Sequence, residues 1–104
     1  SFLWPTPKYY LYKNNLNLMH ISVELTFTPL QDSYEPAITA FIKKLRASGL
    51  TVLENPLSTQ VYGGYDEVMC MLQKEIKVAL QAVEGGLMYI KIVKSDRSDY
   101  ESNF

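Results

Sequence analysis

A regular alternation of apolar and polar residues near the start of the chain constrains the fold more than any other feature. Four apolar residues alternate there with four polar ones: Ile21, Val23, Leu25 and Phe27 with Ser22, Glu24, Thr26 and Thr28. Because successive side chains of a strand point to opposite faces, this pattern predicts a strand with one buried and one solvent-facing side. Pro29 lacks an N–H group and is expected to end it. Something must therefore cover one face of this strand, while the other face stays polar.

The first covering element is predicted to be a helix of about four turns after Pro36. A proline in the first turn costs little, and Asp32 or Ser33 is the expected N-cap. Gly49 is the expected left-handed stop. The apolar stripe of this helix consists of residues at helical spacing: Ile38, Phe41, Ile42 and Leu45.

A second amphipathic helix follows directly after Gly64. Its apolar stripe again has helical spacing: Tyr65, Val68, Leu72, Ile76, Ala79 and Val83. The pair Gly85–Gly86 is expected to end it. Met71 and Val78 form a second narrow apolar patch, which indicates either packing at the rim of the core or a subunit contact. Cys70 falls near the polar side and is expected to be an inert surface thiol.

Three further short strands complete the pattern. Residues 50–54 and 58–62 form a predicted hairpin around the turn signal Asn55-Pro56, and residues 87–93 form the last strand. The order strand, helix, strand, strand, helix, strand predicts an α+β, ferredoxin-like βαββαβ sandwich. It has a four-stranded antiparallel sheet with two helices on one face. We assign this domain to residues 19–95, with an N-terminal appendage at 1–18, vector-derived or upstream, and a flexible tail at 96–104.

Length and charge limit the class of protein. The 104 residues fit a single domain with a modest core. A net charge of −1 provides no electrostatic footprint for nucleic acid or an anionic membrane surface. No apolar run approaches the ~18 residues that a membrane helix needs. The single cysteine excludes an internal disulfide framework and favours a cytoplasmic location.

The open face of the predicted sheet is where we expect a ligand. The two central strands and one edge strand would bring polar and aromatic side chains together there: Ser22, Glu24, Thr26, Ser58, Gln60, Tyr62, Tyr89 and Lys91. This mixture suits a small polar heterocycle that stacks on a ring and hydrogen-bonds at its edge. The alternative is an ordinary solvated face, or one that meets another subunit, since the last strand is apolar on both sides.

Catalytic and metal-binding patterns are missing from the sequence. There is no glycine-rich phosphate loop and no cysteine or histidine cluster with metal-ligand spacing. An enzyme of the dimeric α+β barrel kind would need an acid/base pair, which only His20 and Glu24 offer. We therefore predict no catalytic residues, no metal and no cofactor.

Three segments resemble the YkoF-like thiamine/hydroxymethylpyrimidine-binding family: residues 21–30, the helix at 34–45, and residues 55–69, with Ser-Thr-Gln-Val-Tyr-Gly at their centre. The resemblance implies a ferredoxin-like fold, non-enzymatic binding of thiamine or its pyrimidine precursor, and a link to thiamine salvage or transport. It adds Thr59 to the candidate ligand-binding residues and supports Ser58 and Gln60. It also implies assembly through sheets, so we expect a homodimer or homotetramer because this chain carries one repeat. The alternative function is a structural or regulatory oligomerisation module without a dedicated ligand.

Overall fold

The computed structural model describes residues 19–102, which form one sheet covered by two helices. In chain order the elements are β1 (His20–Pro29), α1 (Glu35–Arg46), β2 (Thr51–Glu54), β3 (Thr59–Gly64), α2 (Tyr65–Gln81) and β4 (Gly86–Val93). The strands are antiparallel and lie in the order β2-β3-β1-β4. The predicted ferredoxin-like fold is confirmed. The predicted appendage at 1–18 lies outside the described residues.

The apolar alternation of β1 points towards the helices, as predicted. Ile21, Val23 and Leu25 each keep only 1% of their surface exposed. On the neighbouring strand, Val61 is fully buried opposite Val23. The helices complete this core with their own buried side chains: Phe41, Leu45, Val68, Leu72 and Ala79. Helix packing on one side therefore leaves the other side of β1 and β3 uncovered by α1 and α2.

The start of α1 differs from the sequence prediction, whereas its end agrees. Tyr34, and neither Asp32 nor Ser33, holds the N-cap position, and no side chain caps the helix there. The helix begins at Glu35 with Pro36 in its first turn, where a proline is favoured, so the N-cap falls on Tyr34, two residues before the proline. Gly49 has a φ of 86°, the left-handed conformation predicted for the stop.

The second helix ends earlier than predicted. It stops at Gln81 with Ala82 as C-cap, and Gly86 instead begins β4, where it pairs with Pro29. Tyr65, at the first position of the helix, is exposed, although the wheel assigned it to the buried stripe. The stripe contains Glu75 in addition to the predicted apolar residues.

The narrow second patch of α2 is not continuous. Met71 packs against the core, whereas Val78 is exposed, so the two residues have different surroundings. Packing at the rim of the core thus accounts for Met71. Cys70 is exposed and forms no disulfide, as expected of a surface thiol.

Two sets of polar contacts hold the ends of the sheet. Arg46 at the end of α1 donates two hydrogen bonds to Glu54 of β2, at 2.6 and 2.7 Å. After β4 the chain turns back to β1: the Ser22 hydroxyl donates to the carbonyl of Ser95 at 2.7 Å and accepts from the backbone N–H of Arg97 at 2.9 Å. The flexibility expected of residues 96–104 stays a prediction. Near the start of this segment, Arg97 is bonded to β1 through the hydrogen bond to Ser22.

Candidate functional site

The register of the sheet brings the predicted polar residues of the central strands together. Glu24 of β1 lies opposite Gln60 on β3 and opposite Lys91 on β4. Because residues directly opposite each other point to the same face, all three side chains lie on the face away from the helices. Ser58 comes two residues before Gln60 and shares this side. We call these four residues, Glu24, Ser58, Gln60 and Lys91, the polar strip.

Hydrogen bonds connect the polar strip into one network. The Gln60 amide donates to the Ser58 hydroxyl at 2.7 Å, and that hydroxyl donates to Glu24 Oε2 at 2.9 Å. On the other side of the carboxylate, Lys91 Nζ lies 3.6 Å from Glu24 Oε1. The Ser58 hydroxyl is therefore held by two partners, Gln60 and Glu24, and its proton points to Glu24. The carboxylate is thus oriented by its neighbours before any ligand arrives.

Glu24 keeps the capacity to bind a further donor. Its side chain is 45% exposed and that of Lys91 is 70% exposed. An exposed ion pair of this kind contributes about 0–1 kcal/mol, so an incoming cation or N–H donor can replace the lysine at little cost. A carboxylate has about four lone-pair sites, and the network uses only part of them.

Two tyrosines lie beside the polar strip on the same face. Tyr89 is opposite Thr26 and is 71% exposed, whereas Tyr62 is opposite Ser22 and is half-buried. Both rings stand next to polar neighbours, where an exposed aromatic face is able to stack on a flat ligand. The Thr26 hydroxyl donates to the carbonyl of Leu57 at 3.3 Å, which ties β1 to the hairpin turn.

Two of the candidate residues are placed differently from the rest. Ser22 belongs to the open face, but its hydroxyl is occupied by the segment after β4. Thr59 lies opposite Leu25, is only 7% exposed and points to the helix side, as the alternation predicts. The structure therefore groups Glu24, Thr26, Ser58 and Gln60 with the two tyrosines, and separates Thr59 from them.

Thr59 lines a cavity that sequence reasoning missed. The space measures about 170 Å³ and lies between α1 and the turn that joins β2 to β3. Its walls are mostly apolar and include the edge-to-face pair Phe27–Phe41, with ring centroids 5.5 Å apart. The full lining is Leu25, Thr26, Phe27, Ile38, Phe41, Ile42, Asn55, Pro56, Leu57, Ser58 and Thr59. We call it the turn cavity.

The turn itself is held rigid by one side chain. Asn55 Oδ1 accepts hydrogen bonds from the backbone N–H groups of Leu57 at 2.8 Å and Ser58 at 3.0 Å. This local bonding is typical of asparagine in turns. Within residues 19–102, the Thr59 hydroxyl has no hydrogen-bond partner, and its oxygen is not completely enclosed, so this lining residue of the turn cavity can bond a ligand. The Asn55-Pro56 turn signal was what the sequence offered towards finding this cavity.

The acid/base pair that an enzyme would need according to the sequence prediction does not form. His20 and Glu24 are four residues apart on one strand, which corresponds to roughly 13 Å. His20 lies near Asp96 instead: hydrogen bonds from Ser98 lower the pKa of the Asp96 carboxyl, and the charge of His20 lowers it further. In the described part of the chain, no group of three or more histidine, cysteine, aspartate or glutamate residues is arranged to hold a metal ion. No helix between residues 19 and 102 is long and apolar enough to span a membrane.

Comparison with known proteins connects this geometry to a family. The family model described as thiamine-binding protein matches residues 23–104. The search of curated proteins gave no match. Solved structures share the fold. A protein from Streptococcus pneumoniae is 26% identical, with a TM-score of 0.70 over 75% of this chain and 89% of that one.

Two more distant structures also match over most of their length. A candidate thiamine biosynthesis/salvage protein from Thermotoga maritima is 19% identical, with a TM-score of 0.65 over 70% of this chain and 81% of that one. A domain of unknown function from Bacillus cereus is 16% identical, with a TM-score of 0.64 over 82% of this chain and 85% of that one. At these identities the likeness concerns the fold alone. The family match, in contrast, covers most of the sequence and includes the Ser-Thr-Gln-Val-Tyr-Gly segment. The chain therefore belongs to the thiamine-binding protein family, the YkoF-like family that its central motif resembles.

Proposed function

We propose that the protein binds thiamine or its hydroxymethylpyrimidine precursor without transforming it, in thiamine salvage or transport in the cytoplasm. Membership of the thiamine-binding family supports the ligand class. The observation that carries the proposal is the hydrogen-bonded polar strip next to the turn cavity. Ser58 belongs to both, so a single ligand can contact the two.

The chemistry of the polar strip complements that of the ligand. Thiamine has an aminopyrimidine ring with N–H donors and a cationic thiazolium ring. Glu24 can accept from the amino group or offset the positive charge, and a charge-assisted hydrogen bond contributes about 1.5–3 kcal/mol. Stacking of Tyr62 or Tyr89 on the cationic ring adds about 0.5–2 kcal/mol. With a few hydroxyl contacts, these terms reach micromolar affinity, near −8 kcal/mol.

The turn cavity accepts part of the ligand. Its volume of about 170 Å³ is below the ~300–1,000 Å³ of pockets that enclose a drug-sized molecule. It therefore fits one ring of thiamine and leaves the other outside. We assign the pyrimidine to this cavity, because the ring is flat and its edge atoms can bond the unpartnered Thr59 hydroxyl. The cationic ring would then lie towards Glu24.

Calorimetric titration with thiamine and with hydroxymethylpyrimidine tests the proposal. We expect saturable heat from at least one of them, and at least tenfold weaker binding in Glu24→Gln. Glu84→Gln is the matched control, because it makes the same chemical change at an exposed residue outside both the polar strip and the turn cavity. Absence of heat from both ligands up to millimolar concentration would end the proposal.

A second candidate function is a structural or regulatory homo-oligomerisation module. It is favoured by exposed apolar residues on the open face, Leu53, Leu87 and Tyr89. In this alternative a homodimer or homotetramer forms through the sheet and buries Ser58 and Gln60 across the interface. Light scattering distinguishes the two, because a monomer at micromolar concentration that binds thiamine excludes the module.

A further inference from the structure

A glutamate occupies a position in the buried stripe of α2 where the helix spacing calls for an apolar residue. Glu75 lies in register with Val68, Leu72 and Ala79, and it keeps only 9% of its surface exposed. Buried carboxyl groups are normally paired or hydrogen-bonded, because removing them from water is costly. Its carboxyl group must therefore be paired, hydrogen-bonded or in contact with solvent.

Glu75 has no such partner in the part of the chain that the structure describes. No hydrogen bond or ion pair involves its side chain, although Ser22, another buried polar residue, has two hydrogen bonds. None of its oxygens is both completely enclosed and unbonded. The carboxyl group is thus directed towards accessible space and is available to a ligand.

That space is a groove between α2 and the C-terminal end of α1. It is an open surface groove of about 530 Å³. Leu50 and Met71 provide apolar surface, and the chain just past the end of α1 also lines it, where a helix C-terminus carries partial negative charge. The complete lining is Lys44, Ala47, Ser48, Leu50, Glu67, Cys70, Met71, Lys74 and Glu75. We call it the interhelical groove.

The charges of the interhelical groove select its ligand. Lys44 and Lys74 are exposed and line the groove, and neither forms an ion pair with Glu75. Glu67 and Glu75 line the groove together with the two lysines, so a simple cation and a simple anion each meet a pair of like charges, whereas a ligand that carries both charges can be complemented at both ends. We propose that the interhelical groove binds a small zwitterion, whose cationic N–H group donates to Glu75 and whose anionic group contacts Lys44 and Lys74. This site involves none of the residues of the polar strip or the turn cavity, so it goes beyond the proposed thiamine function.

The sole cysteine of the chain provides a local readout. Cys70 is exposed and lines the interhelical groove, so an occupant should shield its thiol from alkylation. We choose O-phosphoethanolamine as probe, because it has an ammonium group and a phosphate on a two-carbon body. It should slow the reaction of Cys70 with iodoacetamide several-fold and saturably at millimolar concentration. Ethanolamine and inorganic phosphate, each with half of the chemistry, should protect at least tenfold less well.

Variants connect the protection to the assigned residues. Glu75→Gln should weaken protection by the probe at least tenfold, whereas Glu24→Gln and Glu84→Gln should leave it unchanged. Without probe, Glu75→Gln should keep about the same midpoint of thermal unfolding, because its carboxyl group makes no hydrogen bond or ion pair in the described chain and neither oxygen is completely enclosed. Three results would each overturn the proposal: no saturable protection by the probe, protection that survives in Glu75→Gln, or a large loss of thermal stability in that variant. Failure here leaves thiamine binding untouched, since the two sites share no residue.

Discussion

The two faces of β1 belong to one strand but are stabilised by different interactions. On the helix side, Ile21, Val23 and Leu25 are almost fully buried, and their contacts are apolar and non-directional. On the open side, Glu24 and Thr26 are half-buried and each makes a directed hydrogen bond to the hairpin or its turn. Hydrophobic burial dominates stability, whereas a net hydrogen bond adds only about 0.5–1.5 kcal/mol. We conclude that the buried face provides most of the stability of the fold. The side chains of the open face contribute less to stability and can therefore serve ligand binding.

The largest effect should come from truncation on the helix side. Leu25→Ala removes a fully buried side chain next to the turn cavity and should lower the free energy of unfolding by about 2–5 kcal/mol. Urea denaturation followed by circular dichroism measures this. Thr28→Ala, an exposed neighbour on the open face, is the control and should change stability by less than about 0.5 kcal/mol. Equal losses in the two variants would contradict the division between the faces.

A second variant replaces a polar side chain on the helix side by an apolar one. Thr59→Val keeps the shape and removes a hydroxyl that has no partner in the described chain, so stability should stay equal or rise, by up to ~1 kcal/mol. If the hydroxyl bonds the pyrimidine, affinity for hydroxymethylpyrimidine should fall about five- to tenfold, or about 1 kcal/mol. Calorimetry and thermal melts measure the two quantities on one sample. Loss of stability without loss of affinity would assign Thr59 a structural role only.

On the open face, Ser58→Ala interrupts the network at its centre. Gln60 and Glu24 then lose their common partner, so the carboxylate is less well oriented for the ligand. We expect about three- to tenfold weaker binding of thiamine, and a stability loss of about 0.5–1.5 kcal/mol because the network is only partly buried. A variant that binds as tightly as the parent would show that the network is not part of the site.

The smallest effect concerns the ion pair at the β2 edge. Hydrogen bonding to Arg46 lowers the pKa of the Glu54 carboxyl below its ordinary value of 4.5. A lowered pKa means that the folded state favours the charged form, so this contribution is present above about pH 4.5 and is lost as the pH falls through the lowered value. Glu54→Gln should therefore reduce the drop in thermal stability between pH 7 and pH 3. Because the pair is exposed, the change will be small, and an unchanged pH profile would exclude a stabilising role.

Periodicity was sufficient to predict most of the fold. The alternation at residues 21–28 determined which side of β1 is buried, and Thr59, opposite Leu25, points to the helix side by the same rule. Helical spacing and Gly49 located α1, because those signals are local. The N-cap was wrong because Pro36 restricts the backbone more strongly than the preference of Asp32 or Ser33 for capping.

The parts of the site that sequence reasoning missed depend on contacts between distant segments. Ser22 is bound by residues more than 70 positions later in the chain, which no local pattern indicates. The turn cavity arises from the distance between α1 and a hairpin turn, and the burial of Glu75 from the approach of two helices. A helical wheel does place Glu75 beside Leu72 and Ala79, so its position in the buried stripe could be read from the sequence. The sequence could not show that the side chain has no hydrogen-bond or ion-pair partner in the described chain.

A crystal structure with hydroxymethylpyrimidine tests the central claim most directly. The account predicts density for the ring in the turn cavity within hydrogen-bond distance of Thr59, with the polar strip of the same protomer at its open end. Density on another surface, or an empty turn cavity in crystals grown with saturating ligand, would contradict it.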